Sequence, residues 1–148
     1  MSTPPAPPVP PDRPPVFVYG TLRPGNANHD RLLRGRTAWT APAVLPGAAL
    51  HAGPGYPWAV DGTAADRVRG DLVQPLPAAY DRVLAALDRL EEYVPGDPGS
   101  LYVRVRRDVL GPDGTAVGAW VYLAGPAARR RLAAHGRRIA DGEWHPDR

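Results

Sequence analysis

The chain has 148 residues, with 18 basic and 15 acidic side chains and a formal net charge of +3, a length that fits one domain with a core of its own. It has no cysteine and, read along its length, no lysine, which excludes disulfides, thiolate nucleophiles, cysteine-based metal sites and Schiff-base chemistry. Its serines, Ser2 and Ser100, sit in no Gly-x-Ser-x-Gly turn, and His29, His51, His135 and His145 show no ligand-type spacing, so neither a serine hydrolase nor a metal site is expected.

Residues 1–14 are half proline, the run interrupted by Ala6, Val9, Asp12 and Arg13. That composition favours polyproline-like extension and forbids a helix, so the segment reads as a disordered tail ahead of a single domain over 15–148. It lacks the basic start and unbroken apolar run of a signal peptide, and no segment approaches a membrane span, which leads to the expectation of a cytoplasmic protein.

Val16-Phe17-Val18 reads as a strand buried on both faces. It breaks into Tyr19-Gly20-Thr21-Leu22-Arg23-Pro24-Gly25-Asn26, a loop that Gly20 and Gly25 allow to bend and Pro24 stiffens. A rigid loop with free backbone N–H groups suits an anion or an oxyanion. Ala27 to Arg34 predicts a short helix stopped by Gly35. Thr37 to Leu50 reads as one or two strands, followed by strands at Tyr56 to Val60 and Val68 to Leu76.

The next helix starts near Ala78, with Tyr80, Val83, Leu84, Leu87 and Leu90 on one stripe. At about 100° per residue Glu91 continues that stripe while Glu92 lies far round the helix. An inward carboxylate at a helix C-terminus is held less comfortably as an anion than in water, so its pKa should rise into the range a proton carrier needs. Tyr102 to Leu110 and Thr115 to Leu123 read as a hairpin across Gly111-Pro112-Asp113-Gly114. A basic segment follows, Arg129-Arg130-Arg131 and Arg137-Arg138, in which Leu132, Ala133 and Ile139 fit an amphipathic helix packed on the domain. Interleaved strands and helices give an α/β or α+β class.

The phrases VYGTLRPGNANHDRLL, Gly55-Tyr56-Pro57, Val68-Arg69-Gly70-Asp71-Leu72, LDRLEEY, LYVRV and WVYLAG together resemble, in order, the γ-glutamylcyclotransferase-like or AIG2-like family. The resemblance implies an α+β fold, a small mixed barrel flanked by helices. It also implies a cofactor-independent enzyme that cyclises the γ-glutamyl group of an amine or dipeptide to 5-oxoproline. The family's catalytic glutamate matches Glu91 in its Leu-Asp-x-Leu-Glu context; many relatives have glycine next, where this chain has Glu92.

Expected substrate contacts are Tyr19, Gly20, Thr21, Leu22 and Arg23 on the loop, with Tyr56, Tyr102 and Tyr122 as pocket walls or hydroxyl donors. Arg104 is a further carboxylate partner to consider. No metal, cofactor or membrane is called for, and the partner is a small γ-glutamyl molecule whose leaving amine no motif identifies. Two alternatives stay open. A catalytically silent relative that binds a metabolite would share every motif, and the Arg-rich segment could contact nucleic acid, although no platform of stacking aromatics accompanies it.

Overall fold

The computed structural model describes residues 12–53 and 56–145. The Pro-rich stretch up to residue 11, and Gly55 of the Gly-Tyr-Pro segment, lie outside the described residues. A strand of three apolar residues can bury both faces, and β1 (Val16–Val18) does so: Phe17 packs inside a barrel, while Val16 and Val18 pack with a helix outside it. The chain is already anchored just before β1. Pro14 and Pro15 offer their carbonyls to the Tyr80 hydroxyl at 2.7 Å and the Trp120 N–H at 2.9 Å.

After β1 come α1 (Ala27–Leu32), β2 (Thr37–Pro46) and β3 (Ala48–Ala52). The stretch read as one or two strands is therefore two, divided at Gly47, whose φ of 78° turns the chain. β4 (Pro57–Asp61), β5 (Arg67–Pro75) and α2 (Tyr80–Leu90) follow, α2 being entered through one 3-10 turn at Pro77–Ala79. The hairpin β6 (Tyr102–Leu110) and β7 (Ala116–Ala124), then α3 (Pro126–His135) and the two-residue β8 (Arg137–Arg138), complete the order.

Five strands close into a barrel in the order β1-β5-β2-β6-β7, while β4-β3-β8 form a separate sheet. β1 runs antiparallel to β5, with Phe17 opposite Leu72, and parallel to β7, with Phe17 opposite Val121. The barrel interior is filled by Phe17, Tyr19, Leu45, Leu72, Val109 and Val121. α2 places Tyr80, Val83, Leu84 and Leu87 against Val16, Val18, Val73 and Tyr122. Burial of each such side chain stabilises the fold by about 2 kcal/mol relative to exposure, so the predicted stripe is what clamps α2 beside β1.

The exit from α2 explains where the acidic pair ends up. Glu91 is the last helical turn's cap residue, its N–H bonded to the Leu87 carbonyl at 2.9 Å. Glu92 then takes φ 50°, and the Tyr93 N–H returns to the Asp88 carbonyl at 2.9 Å. This left-handed closing residue is a glycine position by preference, and a negative charge there also opposes the helix dipole. Glu92→Gly is therefore expected to stabilise the protein by about 0.5–1 kcal/mol, seen as a Tm roughly 2–3 °C higher. An unchanged or lower Tm would show that the left-handed turn carries no strain.

Candidate active site

The end of β1, the end of α2 and the start of β4 converge on one pocket. Tyr19, Gly20, Thr21 and Leu22 line it from the loop, Tyr56 and Pro57 from β4 and its approach, Glu91 from α2, and Tyr102 and Tyr122 from the hairpin. The cavity is small, about 40 Å³, far too little for a nucleotide or flavin.

The loop is braced from behind. The Arg23 N–H bonds to the Gly20 carbonyl at 3.0 Å and the Asn26 N–H to the Arg23 carbonyl at 3.1 Å. The His29 ring, on α1, meets the Leu22 carbonyl at 2.8 Å. Asn28 donates to the Thr21 hydroxyl oxygen at 2.8 Å, which leaves the Thr21 proton for a ligand. The backbone N–H groups of Gly20, Thr21 and Leu22 find no acceptor among the described residues. They are spare donors on residues that line the pocket. At Gly20 a Cβ would come within 3.0 Å of the Pro57 ring across the pocket.

The three tyrosines hold one another's surroundings. The Tyr19 hydroxyl donates to the Tyr122 carbonyl at 2.5 Å and accepts the Ala59 N–H at 3.3 Å. The Tyr102 hydroxyl donates to the Pro57 carbonyl at 2.9 Å, fixing β4 to the hairpin. The Tyr122 hydroxyl donates to Asp88 Oδ1 at 2.6 Å. With each proton committed to the protein, these rings shape the pocket rather than supply it with donors. Burial first, then the nearby Glu91 charge, holds the Tyr19 hydroxyl firmly protonated. For Tyr102 and Tyr122 burial is again the leading cause.

Glu91 is half-buried among these rings. Its carboxylate makes no hydrogen bond or ion pair with any described residue. Desolvation alone pushes its pKa from 4.5 up to about 7. A carboxyl group poised near neutrality, with one face open to a pocket, can take up a proton and give it back.

Two expected contacts lie elsewhere. Arg23 does not line the pocket: its guanidinium binds Asp71 at 2.7 Å and Glu143 at 3.0 Å. Arg104 chelates Asp88 at 2.9 and 3.2 Å and lies over the Trp120 ring at 4.5 Å. Asp88 is a residue of the site that the sequence pattern did not single out. By joining Tyr122 and Arg104 it ties the last turn of α2 to the hairpin, and so positions Glu91. Its place four residues after Leu84, at the border of the buried stripe, was the available signal. Among the described residues no group of three or more His, Asp or Glu could hold a metal ion. No helix among them is long and apolar enough to cross a membrane.

Comparison with known proteins agrees with this fold. The family model for "gamma-glutamyl cyclotransferase, AIG2-like" matches residues 16–146. A curated protein of Niallia circulans, gamma-L-glutamyl-butirosin B gamma-glutamyl cyclotransferase, is 33% identical over 111 residues, 74% of this chain. The match spans 66% of that relative, just under two thirds of its length. An AIG2-like protein from Mus musculus superposes with a TM-score of 0.58 at 25% identity, over 78% of this chain and 82% of that one. An Arabidopsis thaliana protein solved in solution gives 0.60 at 27% identity, over 95% and 74%.

Proposed function

The chain belongs to the γ-glutamyl cyclotransferase, AIG2-like family, and from that premise we propose that it converts a γ-glutamyl amine or dipeptide into 5-oxoproline and the free amine, with Glu91 carrying the proton. The observation that supports this reading is a carboxyl group poised near pH 7 and without a partner among the described residues, in a pocket also lined by residues whose backbone N–H groups have no acceptor among them.

The chemistry balances without water or an oxidant. The α-ammonium of the glutamyl group gives a proton to the Glu91 carboxylate, and the freed amine attacks its own γ-carbonyl. A new C–N bond closes the lactam ring, and the carbonyl oxygen becomes an oxyanion. N–H groups of Gly20, Thr21 and Leu22 and the Thr21 hydroxyl are the candidate donors for that oxygen or the substrate α-carboxylate. Collapse re-forms the carbonyl and breaks the bond to the departing nitrogen, which takes the proton held on Glu91; the second proton of the ring nitrogen follows through Glu91, so the lactam keeps one N–H and the amine leaves as an ammonium. The crowded tyrosine walls favour a folded glutamyl chain, and orientation of this kind lowers intramolecular barriers by several kcal/mol.

The test is incubation with a panel of γ-glutamyl amines and detection of 5-oxoproline by mass spectrometry; binding without any 5-oxoproline would mark a silent relative. The pH profile checks Glu91 separately. Because its carboxylate form is the acceptor, kcat/KM is expected to rise with pH through a midpoint near 7, the value to which burial lifts this group. A profile flat between about pH 6 and 8 would remove Glu91 from the proton path.

A further inference from the structure

Tyr56, 56% exposed at the pocket mouth, also borders a second and larger concavity, a groove of about 660 Å³ between β4 and α3. Its floor is apolar, made by Trp58, Leu101, Ala128 and Leu132. Trp58 connects floor to pocket: its ring lies 4.3 Å from the Tyr102 ring, nearly parallel at 7°, and Tyr102 is itself a pocket wall. Among the described residues the groove lining contains Arg131, Arg137 and His135 and no acidic residue. Neither arginine pairs with a described acid; the arginines that do are Arg23, Arg104, Arg107 and Arg138.

Such a surface has a chemical preference. The pocket is small and shares Tyr56 with the groove, so a group on the γ-nitrogen that extends beyond the pocket on that side lies along the groove. There it meets a flat apolar floor, which favours a ring or branched chain by area removed from water. It also meets two guanidinium groups with no counter-ion among the described residues, which favour an anion and repel a cation.

We infer that the groove between β4 and α3 is the leaving-group site, and that the amine released by this protein is apolar in body and bears a carboxylate that meets Arg131 and Arg137. The inference rests on the cyclotransferase reading and names the half of the substrate which that reading leaves open. A diamine or other cationic leaving group gains nothing from this surface, and a small neutral one reaches neither floor nor rim.

Three probes separate the contributions: γ-glutamyl-phenylalanine, γ-glutamyl-phenethylamine, which keeps the ring without the carboxylate, and γ-glutamyl-1,4-diaminobutane. Release of 5-oxoproline is the common readout. The expected order of kcat/KM is phenylalanine, then phenethylamine about tenfold lower, then the diamine about a hundredfold lower. Raising the salt concentration should shrink the first gap, as it does for exposed charges. In the double variant Arg131→Gln/Arg137→Gln the phenylalanine and phenethylamine amides should come within about twofold of each other, through loss on the phenylalanine amide. Both arginines are exposed, and an unchanged thermal transition checks that the fold survives. If the amides are turned over equally, or the variant keeps the full preference, the groove is not the leaving-group site while the cyclotransferase reading stands. If no amide yields 5-oxoproline, both fall together.

Discussion

Glu91→Gln is expected to keep the fold, lower turnover by about 10²–10⁴-fold, and make the protein more stable at alkaline pH. The first effect is the scale on which a positioned acid–base group contributes; an amide of the same shape can neither accept the ammonium proton nor return it. The second follows from the raised pKa. The Glu91 pKa lies at about 7 in the folded protein against an ordinary 4.5, so the fold prefers the neutral acid. Near pH 4 both folded and unfolded chains are largely protonated and no penalty applies. As pH rises through the ordinary value and on to about 7, ionisation is opposed only in the folded state, and stability falls. By about pH 8 the wild type carries a penalty on the order of 2 kcal/mol that the glutamine does not. Denaturant midpoints at the two pH values measure it, with kinetics on a confirmed substrate alongside. Glu92→Gln, exposed and outside the pocket lining, should keep most of the activity. Equal turnover of wild type and Glu91→Gln would end the assignment.

Gly70→Ala is expected to cost more than about 3 kcal/mol of stability. β5 runs so close to β1 here that a Cβ on Gly70 would stand 2.2 Å from the Val18 carbonyl oxygen and 2.8 Å from the Phe17 ring. Neither obstacle can step aside. The carbonyl belongs to a strand paired on both sides, and the ring fills the barrel interior. The added methyl must therefore push β1 and β5 apart within a closed barrel. Because β1 leads directly into the Tyr19–Leu22 wall, substrate turnover should fall even where the variant remains folded. Gly111→Ala, whose Cβ would meet its nearest atoms at an ordinary 3.7 Å, is the control and should stay within about 0.5 kcal/mol of wild type. If Gly70→Ala unfolds at the same denaturant concentration as the control, the β1–β5 contact is looser than the structure describes.

Much of this was written locally in the chain. Three apolar residues followed by glycine, threonine and proline define a buried strand that ends in a bent loop, and β1 with its loop is that. The spacing of Tyr80, Leu84 and Leu87 sets one helix face, and because Glu91 stands close to a whole number of turns further on, its inward direction is a property of the helix alone. The hairpin is announced by its turn, where Gly114 takes φ 80°. The ordered motifs other than Val68–Leu72 each contribute a residue to the lining of the same pocket.

What local patterns define is a face, not what covers it. That β1 pairs with β7 in parallel, Val16 beside Trp120, depends on contacts between distant segments that no window of sequence contains, so barrel closure came from the family resemblance and the tertiary structure, not from periodicity. The same limit decides individual side chains. Arg23 has the chemistry to hold a substrate carboxylate, yet Asp71 and Glu143, brought from 48 and 120 residues away, claim it first. The Tyr122 hydroxyl could have served a ligand until Asp88, 34 residues back, accepted its proton. Which polar group remains free for chemistry is settled by long-range partners competing for it, and on that ground only the assembled fold leaves the Glu91 carboxylate and the loop N–H groups unclaimed by any described residue.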